Sequence, residues 1–540
     1  MQPLMRGWSR WRSLAACSIV ALPLACECGG EAPLPEDPTL PPMIAHDGAI
    51  DPSAEEDEED RAPTDPRDVT VHRASELADV DASQLMRLDL ALSESDRVGH
   101  IEEGDATAAC ADLDLVRLAT SAPNLERLRI SGCPEAVRAG LGAFGPSLAE
   151  LELADVDLDE VIVGRLSQLP GLRRLTLRRV KAATESFEEL RRLDLREITL
   201  AELERDSIIS LILDMWPKRL HRVALVGTWA GHKAMLTLAK AENLRTVELR
   251  DTRVGNFSLN QLKPLPKLEE VIYVGNTFND SSPLYFRDLP VQRFVCDCPY
   301  LGDGGLRSLR HSQGLRALEL RGTNVTGPGL QHLEDLHGLE TLVLDVDVGA
   351  EGYEALAKLS RLSHLELEGE PLDPTLDGLG QLVALEELVL RVPAFDDRAA
   401  PELAPLQKLR VLDLGRTKIS DVGLEALAGL TKIEVLKLHH TQVTNRGLAH
   451  LARMKALRVL ELDHTDVVDA GVAHLSTLRS LQELRLDSTL VTDAAIDHLV
   501  ALESLRRLNL AQTVVTEAGV SKLSRLPNLE VVGLQGTRAQ

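Results

Sequence analysis

Between Leu409 and Asn528 five segments of 24 residues follow one another without a gap. They read LRVLDLGRTKISDVGLEALAGLTK (409–432), IEVLKLHHTQVTNRGLAHLARMKA (433–456), LRVLELDHTDVVDAGVAHLSTLRS (457–480), LQELRLDSTLVTDAAIDHLVALES (481–504) and LRRLNLAQTVVTEAGVSKLSRLPN (505–528). A sixth copy, LEVVGLQGTRAQ, begins at Leu529 and stops with the chain. A fixed period of this size decides the architecture before any local reading does.

Each copy carries two shorter periods. In its first half Leu412 and Leu414 alternate at period two, the spacing of a half-buried strand. In its second half Leu424, Leu427 and Leu430 stand three apart, which suits one side of a short helix or 3₁₀ segment. Ser420, Thr444, Thr492 and Thr516 precede that half, each followed by Asp, Asn or Glu. A hydroxyl there can cap free helical N–H groups while the acid meets the positive helix end. Between strand and helix runs a threonine column, Thr417, Thr441, Thr465, Thr489, Thr513 and Thr537, expected to bond the neighbouring turn's backbone. One copy cannot bury its own leucines; stacked copies share a continuous core.

The pattern L-x-x-L-x-L-x-x-T-x-(V/I)-T-D-x-G-L-x-x-L resembles a leucine-rich repeat, similar to the bacterial and ribonuclease-inhibitor-like types, with Thr where the family has Asn or Cys. The resemblance implies an α/β fold: a curved solenoid, its parallel sheet on the concave face and short helices or 3₁₀ segments on the convex side. It also implies a protein-binding role. The motif is specific for fold and nearly silent on ligand. No F-box-like helical segment precedes the repeats, so a ubiquitin-ligase role is not carried over.

The solenoid is expected over residues 125–540, in about 18 turns anchored from Leu128 through Leu151, Leu175, Leu193 and Val223 onward, with Leu88 a doubtful further anchor. The steps around Leu193 are 18 and 30 residues, together two ordinary turns. At about 4.8 Å per strand such a sheet is on the order of 80 Å long. Residues 69–124 read as an N-terminal cap. No polar cap follows Val532, so this end is expected to be either frayed or covered by a partner, a second copy of the chain being one candidate for self-association through the last turn.

Ahead of the solenoid, residues 1–25 read as a leader. Arg6, Arg10 and Arg12 are followed by the apolar run Ser13–Ala25, about a dozen residues where a membrane span needs roughly 20. The run ends in Leu22-Pro23-Leu24-Ala25-Cys26, which resembles the lipobox of bacterial lipoproteins and marks Cys26 for acylation; Pro23 departs from the usual aliphatic residue. An ordinary cleaved signal or a retained short anchor is the other reading. Residues 26–68 form a proline-rich acidic spacer containing EEDEED (55–60), where fourteen acids against two arginines leave −12. With +3 in the leader, −16 of the total −25 falls on the rest of the chain, and only 3% of residues are aromatic. Such a balance argues against nucleic acid as a partner. The expectation is an exported protein held at the bacterial envelope by lipid, or else secreted.

Cys110 with Cys133 can staple the cap, or Cys133 can serve as a buried thiol; both readings stand. Cys296 and Cys298 lack a second pair for zinc and read as core filling.

Two sets of side chains are expected on the concave face. Arg174, Arg192 and Arg222 precede three successive anchors, and Arg178 and Arg196 lie three beyond theirs, a basic patch suited to an acidic peptide, a phosphate group or an anionic polymer. Further along, His439, His440, Glu461, Asp463, His464 and Asp487, with Asp413, bring imidazoles and carboxylates together. Contact with a protein partner is the leading reading of both sets. The alternatives are metal-dependent or hydrolytic chemistry at the histidines and an adhesive role through the arginines. His332, His450, His474 and His498 recur on the helical side. Neither G-x-S-x-G, a phosphate-cradling G-x-x-x-x-G-K-(S/T), H-E-x-x-H nor a post-strand G-x-G-x-x-G occurs. The chain therefore reads as a non-enzymatic scaffold with no cofactor.

Overall fold

Period-two leucines do build strands. The structure, a computed structural model, describes residues 67–71, 82–91, 110, 113–181, 187–369 and 376–539. The leader, Cys26 and the spacer up to residue 66 lie outside the described residues. Among the described residues, twenty strands make one sheet, each strand parallel to its predecessor, from Asp68–Val71 to Val531–Gly533. The anchors lie in register, Leu88 opposite Leu128, Leu128 opposite Leu151, and so on to Leu508 opposite Val532. Leu88 is thus an anchor like the others, and the residues expected to cap the solenoid contribute the strands Asp68–Val71 and Arg87–Ala91.

One anchor differs from expectation. Leu175 faces Ile198, and Ile198 faces Val223, so the sixth strand is Glu197–Ala201. Leu193 is buried but follows the 3₁₀ helix Phe187–Arg192. The steps are then 23 and 25 residues rather than 18 and 30. In-register amide pairing tolerates a helix-side change of one or two residues; a five-residue slip would leave strand amides unpaired.

Three local devices hold the turns, two of them between neighbours and one within each turn. The first is at the bend, four residues past the anchor, where the backbone enters the left-handed region: Asp155, Arg179, Glu202, Asp251, Arg416, His440, His464, Ser488 and Gln512 all have φ between 48° and 61°. That conformation turns the bend amide onto the next strand: His440 N–H donates to the Asp463 carbonyl at 3.0 Å, and His464 N–H to that of Asp487 at 3.1 Å. The second device is the threonine column. Its hydroxyls bond within their own turn, not to the neighbouring one as expected: Thr417 donates to the Leu414 carbonyl at 2.7 Å, Thr441 to Leu438 at 2.6 Å, and Thr489 to Leu486 at 2.5 Å. The neighbouring amides are already used by the bend, so the hydroxyl serves the carbonyl three residues back, which the turn would otherwise leave without a donor.

The third device is the aspartate that opens several of the helices. Asp421 accepts from the Thr444 amide at 2.8 Å and hydroxyl at 2.7 Å in the following turn. Asp469 does the same to Thr492, at 2.7 Å each, and Asp493 to Thr516, at 2.7 and 2.6 Å. Asp303 holds Thr326 likewise in an earlier turn. The same hydroxyls cap their own helices at Ser420, Thr444 and Thr492, as expected, whereas Thr516, expected to do likewise, makes no side-chain cap bond. Asn445 faces Val468 and makes only the amide bond, at 2.9 Å.

Cys110 and Cys133 are joined as a disulfide across 23 residues, with Cys133 in the left-handed bend. Cys296 and Cys298 are buried as expected, but they are bonded to each other rather than free: their Cα atoms are 5.5 Å apart, within the span a disulfide bridges.

Candidate functional site

The helices lie between successive strands on one side, so alternate strand residues face the other, open side. Counting from each anchor, the residue before it and those one and three beyond form three columns of side chains on that face.

In the early turns the expected basic patch is interleaved with acid. The column preceding the anchors reads Arg127, Glu150, Arg174, Glu197 and Arg222 on adjacent strands. Arg174 pairs with Glu150 at 2.8 Å, and Arg222 with Glu248 and, at 3.7 Å, with Glu270. Arg178 lies between Glu152 at 3.7 Å and Glu202 at 3.9 Å. Arg196 precedes the sixth strand and pairs with Asp194 at 3.3 Å, and Arg192 closes the 3₁₀ helix instead of joining the column. The correction follows from the displaced anchor: Glu197, not Arg192, stands between Arg174 and Arg222. Cross-strand neighbours of opposite charge attract, and like charges would repel. The result is an alternating ladder, with Arg179 also clamped between Asp155 and Glu202 at 2.7 and 2.9 Å.

The late turns do bring the second set together. One beyond the anchors stand Asp413, Lys437, Glu461, Arg485 and Asn509 on consecutive strands. Three beyond are Gly415, His439, Asp463 and Asp487. Asp413, Glu461, Asp463 and Asp487 are buried. Glu461 contacts Lys437 and His439, each at 3.4 Å. Burial opposes its ionisation, but the bond to His439 and the charges of Lys437 and Arg485 outweigh that and hold the carboxyl below its ordinary range. Arg485 bridges Asp463 and Asp487 at 3.7 and 3.6 Å. One guanidinium serves two acids there, and burial together with the Asp463 charge pushes Asp487 upward.

The two bend histidines sit one turn apart, so their rings stack, with centroids 4.0 Å apart and planes 18° from parallel. His439 meets His440 edge-on at 6.0 Å and packs over Gly415, where a Cβ would strike the imidazole. Burial, His464 and Arg416 hold His440 below the usual imidazole range. The histidines of the helical series, His450, His474 and His498, occupy the same place near the end of successive helices, away from this face.

A third feature escaped the sequence reading. Where strands pass into helices Trp229 is 42% exposed and Tyr300 61%, and in the short helix Asn256–Leu259 Phe257 is 73% exposed, in a chain that is only 3% aromatic. Arg253 lies over the Trp229 ring at 3.7 Å, and His232 packs on Phe257 at 5.0 Å. The available signal was their position: each falls outside the leucine positions that build the core.

Comparison with known proteins bears on this fold. The model of the leucine-rich repeat region family matches residues 270–517. Twenty in-register parallel strands carry the same repeat on both sides of that match. The chain is a leucine-rich-repeat protein. No curated protein sequence matches it. Among solved structures, an internalin from Listeria monocytogenes is similar at 19% identity and a TM-score of 0.42, covering 64% of this chain and 88% of its own. A leucine-rich-repeat protein of Leptospira interrogans is similar at 16% identity and a TM-score of 0.45, covering 75% of this chain and 99% of its own. A plant peptide hormone receptor in complex with its peptide follows at 15% identity and a TM-score of 0.38, covering 78% and 72%. Among the described residues, no helix is long and apolar enough to cross a membrane.

Proposed function

We propose that this protein is a binding scaffold for another protein, tethered to the bacterial envelope through acylated Cys26. The partner lies on the open face of the sheet and against the exposed aromatic rings. The observation that carries this reading is the exposure of those rings: Trp229, Phe257 and Tyr300 keep large ring surfaces in water, outside a core that has ample leucine to fill it. Aromatic rings and arginine are the residue types enriched at interface centres, and Arg253 on Trp229 provides that combination already assembled. Beside it, the alternating Arg174–Glu197–Arg222 ladder and the late His439–Asp487 group give the open face a charge pattern that selects partners more than it adds raw affinity. The acidic, proline-rich segment ahead of the solenoid suits a spacer that lifts the face from a membrane.

The test is site-specific photocrosslinking in the cells that make the protein. A crosslinker at Phe257 or Thr199 is expected to trap one discrete partner, whereas the same group at His474, on the helical side, traps none. Equal adducts from both sides would refute the reading. The tether is tested separately by intact mass: a mature chain beginning at an acylated Cys26 is expected, and Cys26→Ala abolishes it. A leader retained on unmodified protein would overturn the anchor while leaving the scaffold untouched.

A further inference from the structure

The stacked bend histidines have a consequence independent of any protein partner. At this bend the six late copies carry Arg416, His440, His464, Ser488, Gln512 and Gly536, so imidazoles meet in consecutive turns only once. The left-handed backbone, φ 53° and 54°, aims both side chains the same way from points one strand apart. Asp463, the residue before His464, reaches the same place from the open face, with its Oδ2 3.5 Å from His464 Nδ1. His440, Asp463 and His464 each offer one donor atom, and the three lie within 4.8 Å of one another.

We infer that His440, Asp463 and His464 form a binding site for a divalent late first-row transition metal ion such as zinc, with its remaining coordination positions open to solvent.

The donor chemistry selects the ion class. Two imidazole nitrogens and one carboxylate oxygen suit zinc, copper, nickel or iron, whereas magnesium and calcium want oxygen alone. Bonds of about 2.0–2.2 Å require donors no more than about 4.4 Å apart, so closing the site draws the donors a little closer and turns the two rings out of their parallel stack until both nitrogen lone pairs converge on the ion. The backbone at the site is held by the two bend amides, His440 N–H to the Asp463 carbonyl and His464 N–H to that of Asp487. The second observation is Asp463 itself. It is 5% exposed, and among the described residues its Oδ1 has no hydrogen-bond partner; Arg485 Nε lies 3.7 Å away and also faces Asp487 at 3.6 Å. A buried carboxylate that shares its guanidinium with a second acid gains from a further cation at Oδ2. His439 stays outside the trio, held by Glu461 at 3.4 Å, and walls the site on the His440 side. His440 and His464 are themselves exposed, so an ion enters from solvent and keeps positions for water or for a donor from another molecule.

The test uses the full chain without added histidine tags and Co²⁺ as probe, since its visible absorption reports donor type and coordination number, with Zn²⁺ calorimetry in parallel. One equivalent is expected to bind, and His440→Ala and His464→Ala each weaken it by about tenfold or more. Asp463→Asn weakens it too. The triple variant His450→Ala, His474→Ala, His498→Ala, which alters only the helical side, leaves it unchanged. Both bend histidines are exposed, so alanine there does not open the core, and circular dichroism verifies folding. Zn²⁺ titration of the wild-type imidazole NMR signals supplies a measurement free of substitutions: His440 and His464 move first. Binding that survives loss of both bend histidines, binding abolished by the helical-side triple variant, or no stoichiometric binding at all would each overturn the inference.

Discussion

Replacing Asp469 with alanine should unfasten two turns of the solenoid at a single point. Its carboxylate accepts the Thr492 amide and the Thr492 hydroxyl, both at 2.7 Å, and stands at the first position of the helix Asp469–Leu475. Hydrogen bonds to charged groups contribute about 1.5–3 kcal/mol each. The carboxylate is partly solvent-exposed, so the low end applies, about 3 kcal/mol for the pair. An acid at a helix start adds roughly 0.5 kcal/mol, which brings the expected loss to about 3–4 kcal/mol. Thr492→Val removes only the hydroxyl bond and its weak helix cap, an expected loss of about 1.5–2 kcal/mol. The double variant should then show a coupling of about 1–1.5 kcal/mol, because the two share one bond. Urea unfolding followed by circular dichroism measures these differences. Native-state hydrogen exchange locates them, with the Thr492 amide losing protection first. The chain supplies its own reference at Asn445 and Val468, where only the amide bond is present. Asn445→Asp combined with Val468→Thr should therefore raise stability, by about 1–2 kcal/mol. A loss below about 1 kcal/mol for Asp469→Ala, or coupling indistinguishable from zero, would refute the clamp.

The same clamp predicts behaviour in acid. The Thr516 hydroxyl and amide hold the Asp493 carboxyl below its ordinary value. A carboxyl depressed in the folded state adds stability that is present above its unfolded value and lost as pH falls through the folded one. Thr516→Val should therefore shrink the acid-side loss of stability, read from melting curves between neutral pH and the acid limit. Gly415→Ala should destabilise by about 1–3 kcal/mol, since the new Cβ meets the His439 imidazole; ring NMR signals would show His439 displaced from Glu461. Opening the Cys110–Cys133 disulfide removes a constraint across 23 residues, and Cys110→Ala should cost about 3 kcal/mol. Hydrogen exchange should confine that loss to the first turns. Ser488→Val places a β-branched side chain at φ 52° and should cost about 1–2 kcal/mol by thermal denaturation.

The repeat period determined the architecture, because a 24-residue alternation of strand and helix signals admits one way of burying its leucines: against the same leucines of the next copy. It determined the late columns as well, since fixed spacing puts residues 24 apart side by side, and His440 beside His464 follows from counting alone. Where the spacing faltered, counting failed. Leu193 carries the leucine signal, yet the strand forms at Ile198, because what the sheet selects is amide register with its neighbours and not the nearest leucine. That shift of five residues turned an expected arginine patch into an alternating ladder. Three features needed the tertiary structure. The threonine hydroxyls turn inward to their own carbonyls because the bend has taken the neighbouring amides. The exposure of Trp229, Phe257 and Tyr300, which come from separate turns, is set by what packs around each ring. The sharing of one guanidinium by Asp463 and Asp487 depends on how far Arg485 reaches across two strands, a distance that no spacing in the sequence encodes.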